Sequence, residues 1–207
     1  MDRIQFVDVI FNGTMTIEIT KAADPTLEWL TAQIGVSALW RPSELPERLK
    51  HAESRAFLAE VGFPAVATDG EWFDSADLPT KGMWEADPDE LFGRRYPNDN
   101  SPPARYAYGL GEFHGEMALV LDGETGVVQV YAPSGWDHGE GDQGVAFASV
   151  REAAGSVALM AGLATRLEGP DSDAAARELI AAIRAHEWAG SAYWASVVGR
   201  LEEDYLN

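Results

Sequence analysis

An acidic, glycine-rich loop contains the residue types best suited to bind a metal ion. Asp137, His138, Glu140 and Asp142 lie close together in it, and His114 could join them from a second glycine-containing segment. Oxygen ligands at alternate positions can hold a hard cation. The spacing lacks the other positions of a calcium loop, and loops of this composition are usually just solvated. One hypothesis is therefore a metal-dependent hydrolase that uses His114, His138, Asp137 and Glu140.

A second segment, residues 69–92, mixes tryptophan with carboxylates. Eight acidic residues stand there against Lys81 alone, with Trp72 and Trp84 among them. Tryptophan side chains often anchor binding surfaces, and surrounding acids steer a basic partner toward them. We interpret the segment as a protein-binding interface. The alternative is a loop whose aromatic residues pack on the core while its acids face water.

Enzyme motifs are absent or incomplete. His186-Glu187 begins a metalloprotease motif, but the second histidine is replaced by Gly190. The glycines of residues 109–115 do not match a dinucleotide fingerprint, because the third comes one position too late. The chain has no cysteine, which excludes disulfides, thiolate nucleophiles and cysteine-based zinc sites. We therefore predict a non-enzymatic protein without a cofactor.

The charge balance points to a class of partner. The chain has 34 Asp and Glu against 15 Lys and Arg, a formal net charge of −19. Such a surface repels nucleic-acid phosphates and anionic membranes and attracts basic proteins. We therefore expect a basic protein partner, and neither nucleic acid nor a membrane. The alternative is that the acidity serves solubility alone.

The distribution of apolar residues predicts a cytoplasmic protein. The first residues lack the basic flank and long apolar stretch of a signal peptide. The most apolar later window, residues 145–164, is interrupted by Arg151 and Glu152, whereas a span needs roughly 20 mostly apolar residues.

Strand patterns surround these candidate sites. Residues 104–132 form short apolar runs that predict a three-stranded antiparallel meander, with a loop at 109–115 and a tight hairpin at 122–126. Asn12-Gly13 lies between two alternating runs in residues 4–20, which predicts an N-terminal hairpin. Shorter strands are predicted near residues 71–74 and 145–147.

Helix patterns fill most of the remaining chain. One helix is predicted to start at the N-cap Asp24 and stop at Gly35, and another to run from Glu47 to a C-terminal cap at Gly62. The second would bury one face, made of Leu49, Ala52, Ala56, Phe57 and Val61. A helix after Ser149 has the widest apolar surface, and its Gly155 and Gly162 would allow close approach to the sheet. Two further helices are predicted after Pro170 and after Gly190.

The order of these landmarks resembles the SUKH superfamily. The segments Phe57–Pro64 (FLAEVGFP) and Leu121–Val128 (LDGETGVV) are most similar to its fourth immunity-protein group, and the resemblance covers about Leu39 to Leu167. It implies an α+β fold with a central antiparallel sheet flanked by helices. It also implies a bacterial immunity protein that neutralises a polymorphic toxin, often one acting on nucleic acids, or else a regulatory scaffold. The chain departs from the family in its late Asn-Ser-Ser-like turn, where it has Phe147-Ala148-Ser149.

Together these observations predict an α+β fold in a single domain, residues 1–207. Its core would span residues 39–167, with an N-terminal hairpin and helix at 1–38 and a helical extension at 168–207. The predicted function is toxin neutralisation through an acidic, partner-binding surface, with the oligomeric state left open. The residues predicted to bind the partner are Trp72, Asp74, Asp77, Trp84, Asp87, Asp89, Glu90, Trp136, Asp137, Glu140 and Asp142.

Overall fold

The computed structural model describes residues 17–68, 72–86, 91, 105–115, 117–132 and 141–206. These residues form an α+β fold with seven α-helices and two antiparallel sheets, as predicted. The helices are α1 (Ile19–Ala23), α2 (Leu27–Ile34), α3 (Ala52–Glu60), α4 (Leu78–Lys81), α5 (Val150–Leu167), α6 (Ser172–Arg184) and α7 (Ala192–Tyr205). The strands are β1 (Leu39–Trp40), β2 (Phe63–Pro64), β3 (Ala67–Thr68), β4 (Phe73–Asp74), β5 (Trp84–Ala86), β6 (Ala107–Phe113), β7 (Met117–Asp122), β8 (Val128–Tyr131) and β9 (Asp142–Phe147).

The predicted meander, β6-β7-β8, forms the centre of the larger sheet. The strand order is β3-β4-β6-β7-β8-β9, and β5 also pairs with β6. Every neighbouring pair is antiparallel. Strands β1 and β2 form a separate two-stranded ribbon.

The loop predicted at residues 109–115 is wrong for most of its length. Strand β6 continues to Phe113, and the turn begins at His114. A β-bulge between Gly109 and Gly111 lets the glycines stay in the ladder, with Gly111 at φ +154. Pairing with β7 on one side and with β4 and β5 on the other explains why this glycine-rich run is extended.

The end of the predicted N-terminal hairpin is also wrong. Residues 19 and 20, predicted as the end of its second strand, begin helix α1, and Ile19 and Ala22 are buried in the main core. Burial of two residues at helical spacing outweighs the β-propensity of this segment. The rest of that hairpin, including Asn12-Gly13, lies outside the described residues.

Two helix starts differ from the predicted ones. Helix α2 is capped by Thr26, whose hydroxyl accepts from the Trp29 N–H, and not by Asp24; it ends as predicted at Gly35 (φ +79). Helix α3 begins at Ala52 rather than Glu47. The N–H groups of Lys50 and His51 donate to the Gly123 carbonyl of the β7–β8 hairpin, so this stretch is held outside the helix.

The predicted apolar face of α3 is only partly correct. Phe57 is buried, together with Ser54 and Leu58, whereas Ala52 and Ala56 are exposed. Leu49 is buried as predicted, although it lies before the helix begins, and Val61 at the end of the helix is half-buried. The C-terminal cap at Gly62 is confirmed, with φ +96.

Helix α5 is the most buried helix, and it packs in the main core. Ser149 caps it by accepting from the Glu152 N–H, while the Glu152 carboxylate accepts from the Ala148 N–H. The two glycines approach other helices, not the sheet. A Cβ on Gly155 would lie 1.8 Å from the Ala22 carbonyl of α1, and one on Gly162 would lie 2.7 Å from Gln33 Oε1 of α2.

Buried apolar side chains form one main cluster and one small one. The main cluster runs from Ile19 to Leu201 and joins α5, α6 and α7 to one face of the sheet. The predicted stripe of α6 lies in it. The small cluster lies on the opposite face, which we call the outer face, and consists of Ala86, Leu91, Ala107, Ala118, Val120 and Tyr131. None of the described helices combines the length and apolar character needed to cross a bilayer.

Candidate functional site

A cleft opens where two short strands share one edge of β6. Strand β5 pairs with residues 107–109 of β6, and β4 pairs only with Glu112. Between these contacts neither strand pairs with Leu110 or Gly111. The resulting cavity has a volume of about 260 Å³, and α4 contributes Leu78 and Lys81 to its lining. We call it the Trp84 cleft, after the side chain on its β5 side.

Strand pairing places the key side chains of the cleft on the outer face of the sheet. Residues directly opposite each other in an antiparallel pair project from the same face. Trp84 pairs with Gly109, which pairs with Val120 of the small cluster. Asp74 likewise pairs with Glu112, which pairs with Ala118 of that cluster.

The indole of Trp84 lies directly against Gly109. A Cβ at position 109 would be 2.0 Å from Trp84 Cε2, so only glycine permits this contact. The centroid of the ring is also 6.4 Å from the centroid of the Tyr131 ring, at an interplanar angle of 51°. Trp84 nevertheless remains 41% exposed. A large aromatic surface is therefore held in place while facing solvent.

The charges of the cleft are mostly negative. Asp74 and Glu112 are both exposed and stand directly opposite each other on β4 and β6. Asp77 accepts a hydrogen bond from Lys81 one helical turn away, with Nζ–Oδ2 at 2.5 Å. That hydrogen bond and the charge of Asp77, with a smaller contribution from Glu112, raise the pKa of Lys81. The site therefore favours positive charge.

The structure brings together three residues of the predicted interface. Asp74, Asp77 and Trp84 all line the Trp84 cleft. Asp142 is exposed on β9, three strands from β6, and accepts from Gln129 Nε2 (2.9 Å) and the Gly144 N–H (2.8 Å). The other predicted interface residues lie outside the described part of the chain: Asp87, Asp89, Glu90, Trp136, Asp137 and Glu140.

Trp72 cannot belong to an exposed interface. It is 5% exposed and packs edge-on against His114, with ring centroids 6.3 Å apart. This ring thus packs on the core, as the alternative interpretation of the segment expected. Trp84, from the same segment, is not buried in this way and remains partly exposed.

The histidine proposed as a metal ligand is held by its neighbours. His114 has φ +50, its Nδ1 lies 3.1 Å from Ser196 Oγ of α7, and its ring packs edge-on against Phe113. Among the described residues, no group of three or more His, Asp or Glu is placed to hold a metal ion. His138, Asp137 and Glu140 lie outside the described residues, and a metal site at that loop stays a prediction.

Two residues on which the cleft depends, Glu112 and Gly109, are not among the predicted interface residues. Glu112 lies in the glycine-containing run 109–115, and the β-bulge before it determines which face of the sheet it occupies. Gly109 lies in the segment that the sequence predicts to be a loop. The available signal was the β-type spacing on either side of the glycines, which is compatible with a continuous strand.

Comparison of the chain with protein-family models, with curated proteins and with solved structures finds no significant match in any of the three.

Proposed function

We propose that the protein is a non-enzymatic binding protein that engages a basic protein partner through the Trp84 cleft and the acidic surface around it. The observation that carries the proposal is the exposed, fixed indole of Trp84 beside three carboxylates, those of Asp74, Asp77 and Glu112. Tryptophan is enriched among the residues that dominate binding energy at interfaces. Carboxylates around it favour basic partners and disfavour acidic ones.

The two kinds of residue contribute to different steps of binding. The net charge of −19 attracts a basic partner over long range and speeds its association. Burial of the Trp84 ring against the partner slows dissociation, because the contact is lost only when the complex separates.

We further propose that the partner is a bacterial toxin domain that acts on nucleic acids, and that this chain is its cytoplasmic immunity protein. The resemblance of residues 57–64 and 121–128 to the SUKH immunity group supports this role. A toxin that binds phosphates must expose lysine and arginine, and an acidic surface can occupy that same site competitively.

A charge-reversal pair tests the proposed surface. The tagged chain is used to isolate its partner from the native host, and association is then followed by stopped-flow. We expect Asp74→Lys/Glu112→Lys to slow association strongly at low salt. The two new lysines face each other across β4 and β6 as the two carboxylates did. The repulsion between these two positions in the free protein therefore stays similar.

The matched control is Glu53→Lys/Glu60→Lys on α3, which makes the same charge change at two exposed positions outside the cleft. Equal effects of the two pairs would reject the cleft as the binding surface. Protection of cells that express the partner, lost only in the cleft variant, would support the immunity role. A partner that is harmless to cells would reject it.

A further inference from the structure

We propose that the Trp84 cleft is a receptor for one arginine side chain of the partner, whose guanidinium stacks on the exposed part of the Trp84 ring and binds the carboxylates of Asp74 and Glu112. The inference deepens the proposed function, on which it rests, by naming the group that is recognised. It follows from the shape of the cavity, the placement of the ring and the position of the charges.

The cavity offers both an aromatic wall and room for a side chain. Trp84 lies on one side of the opening, and Asp74 and Glu112 lie beyond Leu110 and Gly111 on the other. One face of the indole is covered by Gly109, so the ring is fixed before any partner arrives. A fixed aromatic ring reduces the entropy lost on binding.

The charges identify the occupant as a cation. Asp74 and Glu112 are directly paired across two strands, an arrangement of like charges that destabilises a sheet. A positive group between them would remove this repulsion. The cleft already holds one internal cation at its rim, since Lys81 is bound to Asp77 there.

The geometry favours arginine over lysine. The planar guanidinium can stack on an aromatic ring and still direct its N–H groups sideways to carboxylates, whereas an ammonium is a compact, strongly hydrated charge. Arginine is also the commoner partner of tryptophan in cation–π contacts.

A titration with a small probe tests the inference without the natural partner. The full chain, labelled with ¹⁵N, is titrated with the capped tripeptide Gly-Arg-Gly, and the indole N–H signals of its seven tryptophans are recorded by NMR. Trp84→Phe assigns the Trp84 signal. The same tripeptide with citrulline, which has the shape of arginine without its charge, is the control ligand.

We expect the Trp84 signal to shift with the arginine peptide and not with the citrulline peptide. Asp74→Asn and Glu112→Gln should each weaken the apparent affinity about threefold, the effect expected for loss of one partly exposed ion pair. Glu53→Gln on α3 should leave the affinity unchanged.

An equal response to both peptides, an unshifted Trp84 signal, or unchanged affinity in Asp74→Asn and Glu112→Gln would overturn the inference. These failures differ from failure of the proposed function. Partner association that slows in Asp74→Lys/Glu112→Lys while the arginine peptide has no effect would reject only the arginine receptor. Association that is indifferent to those lysines would reject the proposed surface itself.

Discussion

At the scale of single residues, Gly109 determines where the Trp84 ring lies. Gly109→Ala would place a Cβ 2.0 Å from Trp84 Cε2, so the indole must move away from β6. We expect a changed Trp84 indole N–H signal and a loss of arginine-peptide binding, with the fold retained.

The control is Gly199→Ala on the exposed surface of α7, where a Cβ meets nothing within 4 Å. That change should stabilise the protein by about 0.5–1 kcal/mol, because alanine favours helices over glycine. An unmoved Trp84 signal in Gly109→Ala would contradict this account.

A buried carboxylate, Asp122, makes stability depend on pH. It is 1% exposed, accepts from the N–H groups of Glu124 (2.8 Å) and Thr125 (3.0 Å), and pairs with Arg105. Burial opposes its ionisation, but the two backbone hydrogen bonds and the Arg105 guanidinium outweigh burial and lower the pKa of Asp122.

Because this pKa is lower in the folded than in the unfolded state, the stabilisation is complete above the unfolded pKa of about 4 and is lost as pH falls through the folded pKa. We expect Asp122→Asn to cost about 2 kcal/mol at pH 7 and clearly less at pH 3, measured by urea unfolding. Asp77→Asn, which removes an exposed carboxylate paired with Lys81, should cost far less than Asp122→Asn, because an exposed ion pair contributes little. A cost for Asp122→Asn that does not shrink at low pH would show that the charge is not the source of the effect.

Part of the candidate site could be predicted residue by residue. The mixture of tryptophan and acids predicted Asp74, Asp77 and Trp84 as members of one site, and the three residues line one cleft. Composition does not show whether a side chain faces the core or the solvent. This is why Trp72, which is buried, was wrongly predicted to lie in the interface. Glu112 was missed because a β-bulge, which depends on pairing with β7, lies just before it.

At the scale of elements, helix α5 contacts four other helices: α1, α2, α3 and α6. Gly155 touches the backbone of α1, since a Cβ there would lie 1.8 Å from the Ala22 carbonyl oxygen. Gly162 faces the end of the Gln33 side chain, 2.7 Å from the same hypothetical atom. Moving the α1 backbone away from an added Cβ at position 155 would cost much free energy, whereas the flexible Gln33 side chain can move away from one at position 162 at little cost.

This contrast predicts opposite outcomes for two identical substitutions in one helix. Gly155→Ala should destabilise the protein by about 1–3 kcal/mol, as overpacking does in a close-packed interior. Gly162→Ala should be neutral or slightly stabilising, because alanine is the better helix former. Urea unfolding of both variants checks the pair. Similar decreases in the free energy of unfolding in both variants would mean that α1 does not hold its position against α5.

The success of prediction at this scale follows from element length. The meander, α5, α6 and α7 were predicted because each repeats its apolar pattern over several turns or several alternations. Strand β4 was predicted near residues 71–74, but β1, β2, β3 and β5 were not. They have two or three residues each, too few to carry a pattern, and they exist because another strand pairs with them. The first two residues of α1 were predicted as the end of a strand for a similar reason, because the burial of this helix against α5 is not visible in five residues.

At the scale of the whole molecule, the excess of acids becomes a long-range field. A charge of −19 attracts basic proteins from beyond contact distance, and salt screens this attraction with a Debye length of about 10 Å at 0.1 M. If the field guides binding, acids close to the interface should matter more than the same number elsewhere. The segment just after β5 contains three such acids, Asp87, Asp89 and Glu90, next in sequence to the Trp84 cleft.

The triple variant Asp87→Lys/Asp89→Lys/Glu90→Lys should therefore associate with the partner about tenfold more slowly at low salt, with little change in dissociation. The control is Glu53→Lys/Glu60→Lys/Glu203→Lys, which makes the same change in net charge at exposed helical positions outside the cleft. Association rates of the wild type and both variants are measured by stopped-flow from low salt to above 0.1 M. The three rates should converge as the salt concentration rises, because salt screens the long-range electrostatic attraction that speeds association. A triple variant that associates at the wild-type rate at low salt would mean that the partner binds elsewhere and that these acids serve only solubility.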